Sequence, residues 1–258
     1  MLLPPHEFRG RACVVTGGTS GIGRHVAMCL AGLGADVAVL GRDPDRIDST
    51  VAEATQKGLR IHGYSVDVRD RDALEDALGD AGERLGTVQH LVNAAAGNFR
   101  VAPEDLSPRG WEAVTRIVLD GTWHSTQIVA RRLLELDLGG SVVSIGSSKA
   151  HHGGPDTAAS AAAKAGVVAL TKSLAMAWGP RGIRLNLVTP GVTTGTGAVG
   201  ALFAHPRDLE DDLRRVPLGR HTTLDEVADA VTFLLSDRAS AVTGAELVLD
   251  GGRSLGID

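Results

Sequence analysis

Apolar and β-branched residues fall in short runs, separated by longer stretches in which apolar positions recur every three or four residues. The runs Ala12–Thr16, Asp36–Leu40, Arg60–Val66, Val88–Asn93, Ser141–Ile145, Ile183–Val188 and Glu246–Leu249 read as strands. Segments near 21–33, 43–57, 70–84, 108–136, 157–178 and 223–236 carry helical periodicity. Strands that are apolar almost throughout belong to a sheet covered on both faces, and regular strand–helix alternation supplies the covering helices. The pattern predicts an α/β fold, a doubly wound parallel sheet forming one domain over 1–258. No internal repeat, low-complexity tract or linker interrupts it. Gly195–Gly200 is the one flexible-looking stretch, and it leads into the charged segment Asp208–Arg215. Residues 193–217 therefore read either as a substrate lid inserted into the domain or as a plain surface loop.

A chain of 258 residues can bury a core without disulfides or metal. Its net charge of −5 comes from interspersed signs, which gives no footprint for nucleic acid or an anionic membrane. Cys13 and Cys29 both sit among apolar neighbours, as expected of a reduced, cytoplasmic protein. The start, Met1–Gly10, has Pro4, Pro5 and Glu7 and lacks the apolar core of a signal peptide; no run approaches the roughly 18 apolar residues of a membrane span. The nine histidines are scattered, and His151–His152 are adjacent rather than at ligand spacing, so no metal site is expected.

Thr16-Gly-Gly-Thr-Ser-Gly-Ile-Gly23 follows the first strand and opens the first helix. A dinucleotide pyrophosphate needs backbone N–H groups at close range and a helix N-terminus aimed at it, and Gly17, Gly21 and Gly23 provide the turn, the approach and the helix–strand contact. Thr19, Ser20 and Ile22 complete the loop. At the end of the second strand the sequence reads Val39-Leu40-Gly41-Arg42, with Gly41 where a carboxylate for the ribose 2′-hydroxyl is expected. Arg42 there, with Arg24 as a second positive charge, favours NADP(H) over NAD(H). The alternative is that Arg42 is a solvated helix-start residue and Asp43 serves NAD(H).

The spacing Gly-x-x-x-Gly-x-Gly resembles the short-chain dehydrogenase/reductase family, and ordered motifs over roughly residues 8–253 agree with it. Asp67-Val68 is similar to that family's adenine pocket. Leu91-Val-Asn-Ala-Ala-Ala-Gly-Asn-Phe99 is similar to its fourth-strand motif, with Asn93, Ala94 and Ala95 beside the cofactor. Ser144-Ile-Gly-Ser147 resembles the active-site serine strand, and Lys164-Ala-Gly-Val begins with the counterpart of the catalytic lysine. Pro190-Gly191, with Thr193, and Asp250-Gly-Gly252 complete the set. The extra alanine at 94–96, Ile117–Thr122 and Ala159–Lys164 resemble the 2,4-dienoyl-CoA reductase branch, which implies NADPH-dependent reduction of a conjugated thioester. The resemblance also implies a homo-oligomer, a tetramer or dimer pairing the helices near 108–136 and 157–178 and the last strand.

In the family a tyrosine four residues before the lysine exchanges a proton with the substrate; here that position is Ser160. The branch often places its tyrosine fifteen residues before the lysine; here that position is Lys149. The chain's single tyrosine, Tyr64, falls on the third strand, so the usual acid is absent. Ser147 keeps the thirteen-residue spacing to position 160 and is expected to donate to a carbonyl or enolate, with Ser160 sharing that role. Lys164 would hold the cofactor ribose. Asp120 stands where the branch has an asparagine and would pair with Lys164, act in acid–base work, or cap a helix. Lys149 could bind an anionic group, and His151 or His152 could supply a proton.

Three readings follow. The first is an NADPH-dependent reductase of a conjugated C=C in a dienoyl or enoyl thioester. The second is a tailoring enzyme acting on another C=C, C=O or C=N group. The third is a non-redox enzyme, catalysing elimination, isomerisation or cyclisation on the same scaffold. The small-molecule pocket is expected to draw its wall from 98–103, 149–156 and 192–215, with Leu202 and Phe203 adding bulk.

Overall fold

The computed structural model describes residues 3–197 and 206–256. Seven strands form one parallel sheet: β1 Ala12–Thr16, β2 Asp36–Gly41, β3 Ile61–Ser65, β4 Val88–Asn93, β5 Gly140–Ile145, β6 Ile183–Pro190 and β7 Glu246–Leu249. Their order across the sheet is β3-β2-β1-β4-β5-β6-β7. The helices are α1 Gly21–Gly32, α2 Pro44–Gln56, α3 Arg71–Leu85, α4 Pro108–Thr115, α5 Gly121–Glu135, α6 Lys149–His152, α7 Ala158–Trp178, α8 Pro206–Leu213 and α9 Leu224–Leu235. The strands match the apolar runs closely. The long helical pattern over 108–136 does not stay one regular helix, because a π-turn at Arg116–Asp120 separates α4 from α5. That wider turn seats Leu119 on Gly166 of α7, where a Cβ would meet the leucine at 3.0 Å.

Alternate residues of β1 feed opposite faces, Cys13 and Val15 one core and Ala12 and Val14 the other. Helices α1, α2 and α9 cover the first face; α3, α5 and the C-terminal half of α7 cover the second. A third cluster, including Val114, Val118, Ala159, Ala163, Val167 and Leu187, packs α4, the π-turn and the N-terminal half of α7 against β6. It fixes the two segments that flank the site. On β6, Arg184 turns inward and donates to the carbonyls of Leu234, Leu235, Ser236 and Val242 at 2.8–3.3 Å, closing the C-terminal end of α9.

The order reverses at β1, which pairs with β2 on one side and β4 on the other. Connections leave these strands toward opposite faces, so a crevice opens beyond their carboxyl ends. Both cysteines are free thiols; burial raises Cys13 and pushes Cys29 up to about 11. Among the described residues, no helix is long and apolar enough to cross a membrane. Of the expected lid, 193–197 and 206–217 are described, and α8 is tied to the body where Asp212 accepts from Arg253 Nε at 3.2 Å. Leu202 and Phe203 lie outside the described residues.

Candidate active site

The β1–α1 loop lines the crevice. Gly17 has a φ of +65°, and a Cβ there would sit 2.8 Å from Ala94 O. A Cβ on Gly23 would approach Gly17 O to 2.4 Å, so backbone packs directly on backbone and no side chain fits. Ser20 at the N-cap of α1 makes no capping bond, and the first turn of that helix holds no acidic residue. Its first N–H groups and positive dipole end are left for an anion. A cleft of about 720 Å³ opens from this loop. Its wall contains Gly17, Thr19, Ser20, Gly21, Ile22, Gly23, Arg42, Asp67, Val68, Ala94 and Ala95. The size, the uncapped helix and the side-chain-free cradle fit a dinucleotide.

The wall also includes Arg46, which no sequence motif marks, and Ala96, Ile117, Ile145, Thr196 and Gly197, which fall inside marked segments but were not assigned to the cofactor. Ile117 lies on the π-turn, which periodicity does not reveal, and Thr196 sits in a loop without a pattern. Ile145 could have been found as a wall residue, since it stands at the carboxyl end of β5, where parallel folds bind ligands.

At the far end of the cleft, Arg42 Nη1 stands 3.7 Å from Asp67 Oδ2. Asp67 is held below its usual range chiefly by hydrogen bonds from Arg69, at the cost of partial burial. Asp43 is already committed: its carboxylate accepts from the N–H groups of Asp45 and Arg46 at 3.1 and 3.3 Å, capping α2. A side chain at Gly41 would strike Thr19, whose Cγ2 and Oγ1 lie 2.9 Å from a Cβ built there.

Two expectations are corrected here. Arg24 does not reach the cleft; its guanidinium bonds Thr50 Oγ1 at 3.3 Å and pairs with Glu53, which draws it onto α2. Asn93 does not present its side chain to a nucleotide. Buried, it donates to Thr126 at 2.9 Å and Ser144 at 3.3 Å and accepts from Ser125 at 2.7 Å, fastening β4 to α5 and β5. Pro190 ends β6, and Gly191 and Thr193 follow it; Gly191 packs on Asp250, and Thr193 bridges to Thr222 within the described part of the 193–217 segment.

Lys164 is buried on α7, and its ammonium donates to Ile145 O, a residue of the cleft wall. Burial alone pulls its pKa down to about 8. Ser147 lies just past β5 and accepts from the Lys149 N–H at 3.4 Å, which leaves its own O–H free to donate. Ser160 stands in the first turn of α7, in the wall of a cavity of about 10 Å³ with Phe99, Val101 and Val114. Two parts of that wall are tied together: Val101 N–H donates to Asp156 O at 3.0 Å, and Arg100 pairs with the Asp156 carboxylate.

Asp120 neither pairs with Lys164 nor caps a helix. It ends the π-turn in helical conformation, with no side-chain cap bond and no ion pair among the described residues. His151 turns to the sheet edge, where Nε2 meets Glu246 at 2.9 Å, and exposed His152, among the described residues, bonds only its neighbour's carbonyl, Gly153 O, at 3.1 Å. Tyr64 is half-buried and packs against the core on the α3 side of β3. It stands four strand positions from β5, roughly 19 Å across the sheet at about 4.8 Å per strand. No group of three or more metal-ligating side chains assembles among the described residues.

A family profile described as enoyl-(acyl carrier protein) reductase matches residues 17–254. The chain is similar to a probable 2,4-dienoyl-CoA reductase of Bacillus subtilis, 38% identical over 246 residues, 95% of this chain and 97% of that protein. It is 35% identical to a D-threitol dehydrogenase of Mycolicibacterium smegmatis, covering 96% of this chain and 95% of that one. Among solved structures, a gluconate 5-dehydrogenase from Burkholderia cenocepacia in complex with NADP and tartrate superposes with a TM-score of 0.91 at 28% identity, covering 98% of each chain.

Proposed function

Because this chain belongs to the short-chain dehydrogenase/reductase family, we propose that it is an NADPH-dependent reductase of a carbon–carbon double bond conjugated to a carbonyl, with dienoyl or enoyl thioesters as its substrate class. The observation that carries the reading is the residue set at the end of β5: Ser147 and Lys164 are present, while the chain's one phenol lies at the other side of the sheet. Ketone reduction needs a proton delivered to the very oxygen the acceptor carbon bears. A conjugated acceptor takes hydride at a carbon remote from that oxygen, so hydrogen bonds to the oxygen can replace a strong acid.

When bound, the reduced nicotinamide supplies the hydride. The chain's own residues bind and orient. The glycine loop and the N-terminus of α1 take the pyrophosphate, Asp67 and Val68 flank the adenine end, and Arg42 faces a 2′-phosphate. Lys164, anchored on Ile145 O, directs its remaining N–H donors to ribose hydroxyls. Ser147 donates to the substrate carbonyl, and Ser160 joins it. Asp43, occupied by its helix cap, is withdrawn from competing for a ribose 2′-hydroxyl, which supports NADP(H). The described parts of the lid segment, 193–197 and 206–217, border the substrate, and the protein acts as a cytoplasmic homo-oligomer.

The relative named D-threitol dehydrogenase favours a second reading, oxidoreduction at a C–O bond. The test is NADPH oxidation, followed by absorbance, with a dienoyl thioester, an enoyl thioester, a ketone and an imine in parallel. Turnover with the conjugated thioesters supports the proposal. Turnover confined to the ketone or imine rejects it, and nucleotide whose redox state never changes with any active substrate points to the non-redox reading.

A further inference from the structure

Lys149 opens α6 two residues after Ser147, and its side chain runs across Gly154 to donate to Thr157 Oγ1 at 3.1 Å. The path is shaped for it: a Cβ on Gly154 would lie 3.2 Å from both Lys149 Cδ and Nζ, and the accepting Thr157 is buried. An ammonium carries three donors, and the described residues engage one. Its charge is also unanswered. The neighbouring carboxylates are committed elsewhere: Asp156 pairs with Arg100, and Glu246 is held by His151 at 2.9 Å and Thr189 at 2.6 Å. No carboxylate comes within ion-pair distance of Lys149 among the described residues, and a half-buried cation gains most from an anionic partner. Lys164 is engaged elsewhere, since its ammonium sits on Ile145 O and its remaining donors are assigned to the cofactor ribose.

We propose that Lys149 is a catalytic residue that binds the substrate carbonyl oxygen together with Ser147 and holds the negative charge that develops there. This rests on the reductase reading. Addition of hydride to the distal alkene carbon would shift the π electrons and leave the carbonyl as an enolate oxygen. Lys149 keeps its proton and pairs with that oxygen, and solvent protonates carbon, so one hydride and one proton are added in all. Thr157 is the positioning residue that holds the ammonium in place.

The test uses acetoacetyl-CoA, a 3-oxoacyl thioester whose enolate absorbs in the ultraviolet where the keto form does not, added to the full-length protein without nucleotide. The wild type and Lys149→Arg should show the enolate band. Lys149→Met and Lys149→Gln should lose it, bind the thioester at least tenfold more weakly and lower kcat about 100-fold with NADPH affinity unchanged. Thr157→Val should fall between. An enolate band that persists in both truncations, or that is absent from the wild type, overturns the proposal. If the band depends on Lys149 but no conjugated thioester is reduced, the reductase reading fails and the oxyanion site stands. If thioesters are reduced equally well by Lys149→Met, the reading stands and the site fails.

Discussion

Arg42→Ala should weaken NADPH binding and leave NADH binding where it is. The Arg42 side chain is 60% exposed, so its attraction to a 2′-phosphate acts through solvent rather than through protein interior. At about 4 Å a unit charge pair is worth about 1 kcal/mol in bulk water and about 4 kcal/mol at the effective dielectric of a protein surface. The phosphate carries nearly two charges, which raises the attraction, while Asp67 Oδ2 at 3.7 Å from the guanidinium cancels part of it. The net loss should be about 1.4–2.8 kcal/mol, roughly 10- to 100-fold in Kd for NADPH. Calorimetric titration of both nucleotides at low and physiological salt measures it, and the gap between wild type and variant should narrow as salt screens the charge. Arg24→Ala is the control; with its guanidinium drawn onto Glu53 it should leave the preference unchanged. Equal weakening of NADPH and NADH in Arg42→Ala, or a loss of preference in Arg24→Ala instead, would refute the assignment of the 2′-phosphate to Arg42.

Three further outcomes are expected. Lys164 has its pKa lowered to about 8 by burial, so the folded state binds fewer protons than the unfolded chain between about 8 and 10.5, and stability should rise with pH across that window. Relative to Lys164→Met, the nucleotide-free wild type should gain up to about 3 kcal/mol there in denaturant titrations, and a flat difference contradicts the buried ammonium. Arg184→Met, which leaves carbonyls at the end of α9 without their shared donor, should cost about 3 kcal/mol and lower Tm by roughly 6–12 °C; a shift under about 2 °C would show that water replaces the guanidinium. His151→Gln and His152→Gln should each keep the wild-type pH–rate profile, since one ring is turned to Glu246 and the other to its neighbour's carbonyl; a lost limb in either would return histidine to the proton path.

The central strands were readable because a buried parallel strand must be apolar on both faces; the edge strands β3 and β7 are only partly buried, yet their runs became strands too. The glycine loop was readable because close backbone approach forbids side chains, which leaves a visible spacing at Gly17, Gly21 and Gly23. Side-chain direction was not. Arg24 and Arg42 look equivalent as charges near the loop, yet only the fold places Glu53 within reach of the first and Asp67 beside the second. Asn93 sits in a cofactor-like motif, but the hydroxyls that capture it come from α5 and β5, distant in the chain. The π-turn was hidden for a related reason, since one extra residue in a turn barely disturbs helical periodicity, though it decides where Ile117 and Asp120 stand. Likewise, an isolated lysine in the sequence says nothing of whether a carboxylate waits nearby; only the fold shows that, among the described residues, none reaches Lys149 and that Asp156 and Glu246 have other partners.

The most direct measurement is isotopic. NADPH carrying deuterium at the transferable C4 position should be supplied with a dienoyl thioester, and the product analysed by mass spectrometry and NMR. One deuterium bonded to a former alkene carbon, with the thioester carbonyl intact, is the expected result. Label appearing on a carbinol carbon, or remaining wholly in the nucleotide while the thioester is consumed, would contradict hydride addition to a conjugated double bond.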